Sequence, residues 1–492
     1  MFFRALAGLI FAAGLFVRLS YLTQPPLDFH PTRQLHSALI ARGMYYENLP
    51  GISAIKREMA LRQWRAEGVI EPQVFERLVA FSYGLAGGVS DWIPRVYSSV
   101  FWVAGGVLLF RVMQAMAGDG GALVGAAFYL LWPFGVSASR SFQPDPLMVA
   151  LVIAAVWAIR RWEGAPSWHW AVASGLLAGF AIYIKTVAVF FVGPAFLAVI
   201  LAGPGVRRAI KGAQVWAIAV LAIWPYALYL LDGVVIHGFL LEQFGGRFFP
   251  EMWSDPAFYL RWVGELSQAV PFALCLAALV GSLLPARAAD RALLMALWGG
   301  YALYSFTLPH HISTHDYYSL ALIPLTALGL ACIAGAVLNR QQSPPWVNRA
   351  VFSAALAAGV ILAGYQNLTS MKRSDAWQQA EVWQSAGSAL HPGASVVILS
   401  PDYGMGIEYW GWVVPTVWPT VADQQFEVVS RGQATPFSER FFQLVSGRDY
   451  FLVSPASELD EQPELKETLR FCCRLLRREP GYLLYDLNPL QP

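Results

Sequence analysis

The chain has 492 residues, 56% of them hydrophobic and only 13% charged, with a formal net charge of +2. A soluble domain carries roughly 25% charged residues. Half that density marks a membrane protein, and the near-neutral balance argues against a nucleic-acid binder. Of the four cysteines, Cys275 and Cys332 lie in apolar runs, and the adjacent Cys472 and Cys473 have no metal-ligand spacing.

A membrane helix needs about 20 mostly apolar residues. Eleven segments qualify: 5–22, 94–115, 121–138, 146–161, 168–185, 187–203, 214–231, 263–284, 292–308, 317–338 and 349–367. The opening MFFRALAGLIFAAGLFVRLSYL reads as a retained first span, since its apolar run is long and no small-residue cleavage site follows. Lys and Arg concentrate in cytoplasmic loops. One set of loops holds Arg4, Arg111, Arg160, Arg161, Arg207, Arg208, Lys211, Arg287, Arg291, Arg340 and Arg349. The opposite short loops hold Arg140, Lys185, Arg247 and Arg261. That bias predicts a cytoplasmic N-terminus in a plasma (inner) membrane, with Lys372 and Arg373 counting against it. An odd number of spans then puts everything after residue 367 outside.

The first outer loop, 23–93, opens with Pro25 and Pro26, which end the first span. A helix starts near Pro31, because proline suits the first helical position. Asp28 and His30 lie just ahead of it. Asp28 is either a carboxylate near a positive helix terminus or a general base at the membrane surface. Farther on, ISAIKREMALRQW and PQVFERLVAFSYGLAGG have apolar residues at helical spacing and read as interfacial helices or as ordinary packing elements.

The knot SFQPDP sets Asp145 at the edge of a span. A carboxylate there is costly unless it faces water or a partner, which makes it a functional candidate. Lys185, in FAIYIKTVAVFF, is either a snorkelling lysine or a cation for a phosphate in a low-dielectric site. Arg247 follows two glycines in EQFGGRFFPEMW and faces either headgroups or a ligand. LPHHISTHDYY carries His310, His311 and His315 in six residues. Imidazole suits zinc, but the spacing matches no known ligand pattern, and these rings with Tyr317 and Tyr318 can equally donate to a phosphate or sugar. No metal is assigned; a weak divalent site at Asp145 is the alternative.

The tail, 368–492, changes character. ASVVILS and RDYFLVS are short β-rich runs, ELDEQPELKETLRFCCRLLRRE is a charged helical pattern, and GYLLYDL is strand-like. The expected architecture is therefore a polytopic α-helical membrane protein with about 11 transmembrane helices in residues 1–367 and a small extracytoplasmic α/β domain in 368–492. Within that domain ILSPDYGMGIEYWGW offers Asp402, Tyr403, Glu408 and tryptophans for packing or for stacking on sugars.

In order along the chain come the first loop, then DWIPRVYSSVFWVAG, SFQPDPLMVALV, LAGFAIYIKTVAVFFVGPAF and HDYYSLALIPLTALGLA. This ordered set resembles the GT-C superfold of membrane glycosyltransferases, in particular the protein O-mannosyltransferase type that includes the lipid A aminoarabinose transferases. The resemblance covers about residues 1–340. It implies transfer of a sugar from a polyprenyl-phosphate-linked donor to a lipid, glycan or protein acceptor on the extracytoplasmic face, with inversion. It puts the family's Asp before Pro-Leu on Asp145, its Lys on Lys185, its Tyr-Tyr/Pro span on Tyr317, Tyr318 and Pro324, and its second-span Arg on Arg95.

One departure stands out. The family's Asp-Glu pair opening the first-loop helix falls here on Arg33 and Gln34, and the nearest carboxylate, Asp28, lies five residues earlier. Either Asp28 takes over as the base or the chemistry relies on another group. In the first case Asp28 takes the acceptor's proton while Lys185 and Arg247, with His311 or His315, stabilise charge on the departing phosphate. A lipid-linked oligosaccharide polymerase or ligase shares this outer-face chemistry. A lipid or solute transporter would show inverted repeats and broken helices near the midplane, and no such repeat is visible.

Overall fold

The computed structural model describes residues 2–203, 205–240, 248–340, 345–373 and 376–488. The chain is mostly helical and divides into two compact units. The first comprises Met1–Leu22, Val69–Val74 and Pro94–Lys372; the second comprises Thr23–Gly68, Phe75–Ile93 and Arg373–Pro492.

In the first unit five helices are long and apolar enough to cross a membrane: Phe2–Leu19, Trp92–Leu131, Ala213–Ile236, Leu322–Asn339 and Pro345–Lys372. The bent pair Pro256–Ala269 and Phe272–Gly281, with 81° between its halves, makes up to six among the described residues. The eleven apolar segments of the sequence do not all become such helices. Segments 168–185 and 187–203 fold as the shorter helices Trp168–Ile184 and Thr186–Ala202. The 20-residue helices Asp145–Gly164 and Ala288–Thr307 carry charges inside their ends. The expected spans 94–115 and 121–138 share the 40-residue element Trp92–Leu131, kinked at Gly118, whose φ of 73° suits glycine.

The first unit inverts the usual surface of a soluble protein. Leu9 is 66% exposed and Ile361 is 70% exposed, large apolar side chains that lipid solvates and water does not. Its internal charges are held by polar partners. Arg160 pairs with Asp290 at 2.6 Å, and Arg18 donates to Ser139 Oγ at 2.8 Å and Gly14 O at 3.0 Å, as a low-dielectric interior requires. Helices approach closely where glycine allows it: a Cβ on Gly281 would strike the Gly329 carbonyl, and one on Gly329 the Ala278 carbonyl.

The second unit is built on a five-stranded sheet of β1 (Val396–Leu399), β2 (Thr416–Trp418), β3 (Tyr450–Val453), β4 (Arg474–Glu479) and β5 (Tyr482–Asp486), in the order β2-β1-β3-β5-β4. β1 pairs parallel with β2 and β3; β5 runs antiparallel to β3 and β4. Alternating residues bury both faces, with Val397, Leu399, Phe451 and Val453 on one and Val396, Ile398, Leu452 and Leu484 on the other. The edge strand β4 is exposed throughout and carries three arginines, Arg474, Arg477 and Arg478, the charge that keeps an open edge from pairing with another chain.

The first-loop helices Pro31–Glu47, Ala54–Ala66 and nearly all of Val74–Ala86 belong to this second unit. Arg42 reaches the tail: it donates to the carbonyls of Tyr409 and Glu408 and to Gln63 Oε1, and lies 4.5 Å from the Tyr409 ring and 4.1 Å from the Trp412 ring. The aromatic stretch of the tail thus packs on the first loop. Burial and the neighbouring Glu67 push the Glu408 carboxyl up to about 8, against the lowering effect of Arg42. Glu67 itself is held by His36 Nδ1 at 2.5 Å.

Candidate functional site

Local sequence explains how the first unit displays its polar side chains. Pro144 and Pro146 flank Asp145, which opens the helix Asp145–Gly164, and a carboxylate suits a helix N-terminus. The helix Trp168–Ile184 stops at Lys185, whose extended backbone (φ −155°, ψ 119°) leads into the short 3-10 turn Thr186–Ala188. The break points an ammonium out of an apolar stretch. Tyr317 and Tyr318 sit on the 3-10 turn Asp316–Ser319, just ahead of the helix Leu322–Asn339.

These pieces converge. Lys185 Nζ donates to both oxygens of Asp145, at 2.9 and 3.0 Å, and lies 3.5 Å from Glu71 Oε1. All three side chains are largely shielded, at 7, 6 and 16% exposure for Lys185, Asp145 and Glu71. The ammonium also lies 5.6 Å from the Tyr317 ring and 5.9 Å from the Tyr318 ring, within cation–π range. His311 packs edge-on to Tyr318 at 5.3 Å, and His315 lies 5.4 Å from Tyr317 and 5.9 Å from Tyr318. Asp145, Lys185, His311, His315, Tyr317 and Tyr318, read separately from the sequence, form one cluster.

Glu71 is the residue that sequence reasoning missed. Its signal is the Glu-Pro step in GVIEPQVFE between two amphipathic helices. A residue before proline is held extended, so Glu71 is free of either helix and its segment, Val69–Val74, belongs to the first unit.

Arg95 is 1% exposed in the first unit. Asp28, His30 and Arg33 belong to the second unit. Gln34 Nε2 donates to Asp28 Oδ1 at 3.2 Å. His30 caps the helix Pro31–Glu47 with a left-handed backbone, φ 43° and ψ 73°, a strained conformation for histidine. Arg247 lies outside the described residues.

Lys185 donates to both oxygens of Asp145 and is the cation that balances its charge in this structure. Among the described residues no three His, Cys, Asp or Glu side chains gather as a metal site, and the three histidines pack against aromatic rings instead.

The architecture as a whole matches solved structures over nearly its full length. ArnT from Cupriavidus metallidurans bound to undecaprenyl phosphate superposes with a TM-score of 0.58 at 14% identity, covering 98% of each chain. The chain has the GT-C glycosyltransferase fold. ArnT in the apo state gives a TM-score of 0.56 at 15% identity over 100% of this chain and 98% of the other. The oligosaccharyltransferase of Archaeoglobus fulgidus, in complex with Zn and sulfate, gives 0.54 at 12% identity over 97% of this chain and 72% of that one. Residues 71–230 match the family of dolichyl-phosphate-mannose-protein mannosyltransferases, a stretch that contains Glu71, Asp145 and Lys185. Comparison with curated protein sequences gives no match. The resemblance drawn from the sequence motifs is thus the fold that the structure adopts.

Proposed function

We propose that this chain is an integral-membrane glycosyltransferase that moves a sugar from a polyprenyl-phosphate-linked donor to a lipid, glycan or protein acceptor on the extracytoplasmic face, inverting the anomeric centre. The observation that carries this reading is the buried Lys185, shared by Asp145 and Glu71 and flanked by Tyr317 and Tyr318, against which His311 and His315 pack.

Leaving of the donor phosphate builds negative charge on its oxygens, and a fixed cation in a low-dielectric pocket stabilises that charge more than water does. Asp145 holds the ammonium in position. Glu71, the more distant carboxylate, is the partner a phosphate replaces. His311, His315 and Arg247 supply further donors, and Asp28 takes the proton of the acceptor. Support for a lipid-linked donor comes from the likeness to ArnT, whose structure holds undecaprenyl phosphate, and from the family match over 71–230. Support for a membrane setting comes from the exposed apolar surface of the first unit and from the exposed Ile55, Phe81 and Leu85 on the first-loop helices. In this reading the N-terminus is cytoplasmic and the sheet domain extracytoplasmic.

The likeness to an oligosaccharyltransferase keeps transfer of a preassembled, lipid-linked glycan as the second reading. The deciding experiment incubates purified protein with polyprenyl-phosphate-linked monosaccharides and membrane lipid extract. Release of free polyprenyl phosphate with labelled acceptor supports single-sugar transfer. Inertness toward every monosaccharide donor, with turnover of a lipid-linked oligosaccharide, shifts the assignment to the second reading.

A further inference from the structure

We infer that the sheet domain carries a second binding site, for an uncharged saccharide, in the crevice at the C-terminal ends of β1 and β3. This goes beyond the transfer reading and does not depend on it. The topology singles out the position. From β1 the chain crosses to β2 on one side, and from β2 it crosses back over β1 to β3 on the other. The crevice where such connections part is the usual ligand position in an open α/β sheet.

A cavity of about 470 Å³ lies there, a size within the range of small-molecule sites. Its walls include Ser400 and Asp402 following β1, Ser454 following β3, Trp383 and Gln379 from the helix Ala376–Ser388, and Thr32 from the first loop. All belong to the second unit.

The chemistry of these groups selects the ligand class. Ser400 Oγ donates to Asp402 Oδ1 at 2.6 Å, and Ser454 Oγ donates to Gly481 O at 2.9 Å. Each hydroxyl has therefore committed its proton and presents acceptor lone pairs to the crevice. The Asp402 carboxylate is held by its own loop, accepting also from the Gly404 and Gly406 amides at 3.0 and 2.9 Å, so its charge does not call for a cation. Among the described residues no lysine, arginine or histidine lines the cavity, which disfavours a phosphate or carboxylate. A ligand rich in hydroxyl donors with an apolar face to set against Leu27, Val382 and Pro455 fits this set, and a saccharide ring has both. Tyr403, next to Asp402, and His30, two residues before Thr32, both adopt left-handed backbones, at φ 57° and 43°. Strain of this kind collects where a ligand is clamped.

The test uses the full chain in detergent and saturation-transfer NMR with methyl mannoside, methyl glucoside, methyl galactoside and glucosamine as probes and inorganic phosphate as an unobserved competitor. At least one uncharged glycoside is expected to bind in the millimolar range, with its signal unchanged by added phosphate. Thr32→Val, which removes a hydroxyl at constant shape, and Gln379→Ala, at an exposed position, should each weaken it by about three- to tenfold, the value of one hydrogen bond. Lys185→Met should leave this binding unchanged. Silence of every uncharged probe toward folded protein overturns the inference, as does preference for glucosamine or loss of the glycoside signal on adding phosphate. Binding lost in Lys185→Met but retained in both crevice variants assigns the saccharide to the Lys185 cluster and also overturns it.

Discussion

Lys185 donates to both oxygens of Asp145 across 40 residues of sequence, at 2.9 and 3.0 Å, and both side chains are buried. Removing one partner of a buried pair leaves an uncompensated charge and costs about 3–5 kcal/mol. Lys185→Met leaves the Asp145 and Glu71 carboxylates together without a cation, so it should lower the melting temperature and abolish donor use. The double variant Lys185→Met, Asp145→Leu should recover much of the stability and none of the activity. Thermal unfolding in detergent beside a turnover assay separates the two effects. Turnover restored by the double variant would remove Lys185 from the chemistry.

Glu71 lies 3.5 Å from the same ammonium. A phosphate arriving at Lys185 must displace or repel this carboxylate, so Glu71→Gln should bind undecaprenyl phosphate more tightly, by about tenfold (~1.4 kcal/mol) for relief of one like-charge interaction. Weaker binding by this variant would show that Glu71 helps to build the phosphate site instead of competing for it.

Asp28 accepts a hydrogen bond from Gln34 Nε2 at 3.2 Å, and the proposed function makes it the acceptor's base. Asp28→Asn should leave undecaprenyl phosphate binding intact and slow turnover by about 10²–10⁴-fold, the usual worth of a positioned base. Full turnover would transfer the role to Glu71, the first-loop carboxylate beside Lys185.

What the sequence made legible follows from the kind of signal each feature leaves. Long apolar runs announce membrane helices, but they do not announce where a helix stops, which is why segment 187–203 became a short helix after the Lys185 break. Asp145, Lys185 and the Tyr317–Tyr318 step were visible because charge and polarity stand out in apolar surroundings. Their mutual contact was not, since 40 residues separate Asp145 from Lys185 and no local pattern encodes that distance. Glu71 sits in a loop rich in ordinary charges and became noticeable only through its three-dimensional neighbour. Likewise, nothing in the first loop foretold that Arg42 would be buried between Tyr409 and Trp412 of the tail.

The second unit should show a pH-dependent stability that traces to Glu408. Burial first, then Glu67, pushes its carboxyl up to about 8 from an ordinary 4.5, and Arg42 offsets part of this. Between about pH 4.5 and pH 8 the folded chain keeps a proton that the unfolded chain has lost. Stability contributed by this group therefore falls as pH rises through that window, by up to roughly 1.4 kcal/mol per pH unit, and levels off above it. Glu408→Gln should flatten the slope. Melting curves at pH 5, 7 and 9 check this, and identical slopes in the two proteins would discard the assignment.

Gly281 and Gly329 test how tightly the first unit is packed. A Cβ on either would meet a backbone carbonyl of the facing helix, Gly329 O or Ala278 O, and backbone cannot rotate away as a side chain can. Apolar solvation gives little drive for helix association in lipid, so close backbone contact must supply it. Gly329→Val should then separate the helices Phe272–Gly281 and Leu322–Asn339 and cost about 1–3 kcal/mol, the range for overpacking an interior. Gly359, which has nothing within 4 Å of its added Cβ, is the control: Gly359→Val should shift the melting temperature far less. Equal shifts for the two substitutions would mean that the glycine contact does not hold these helices together.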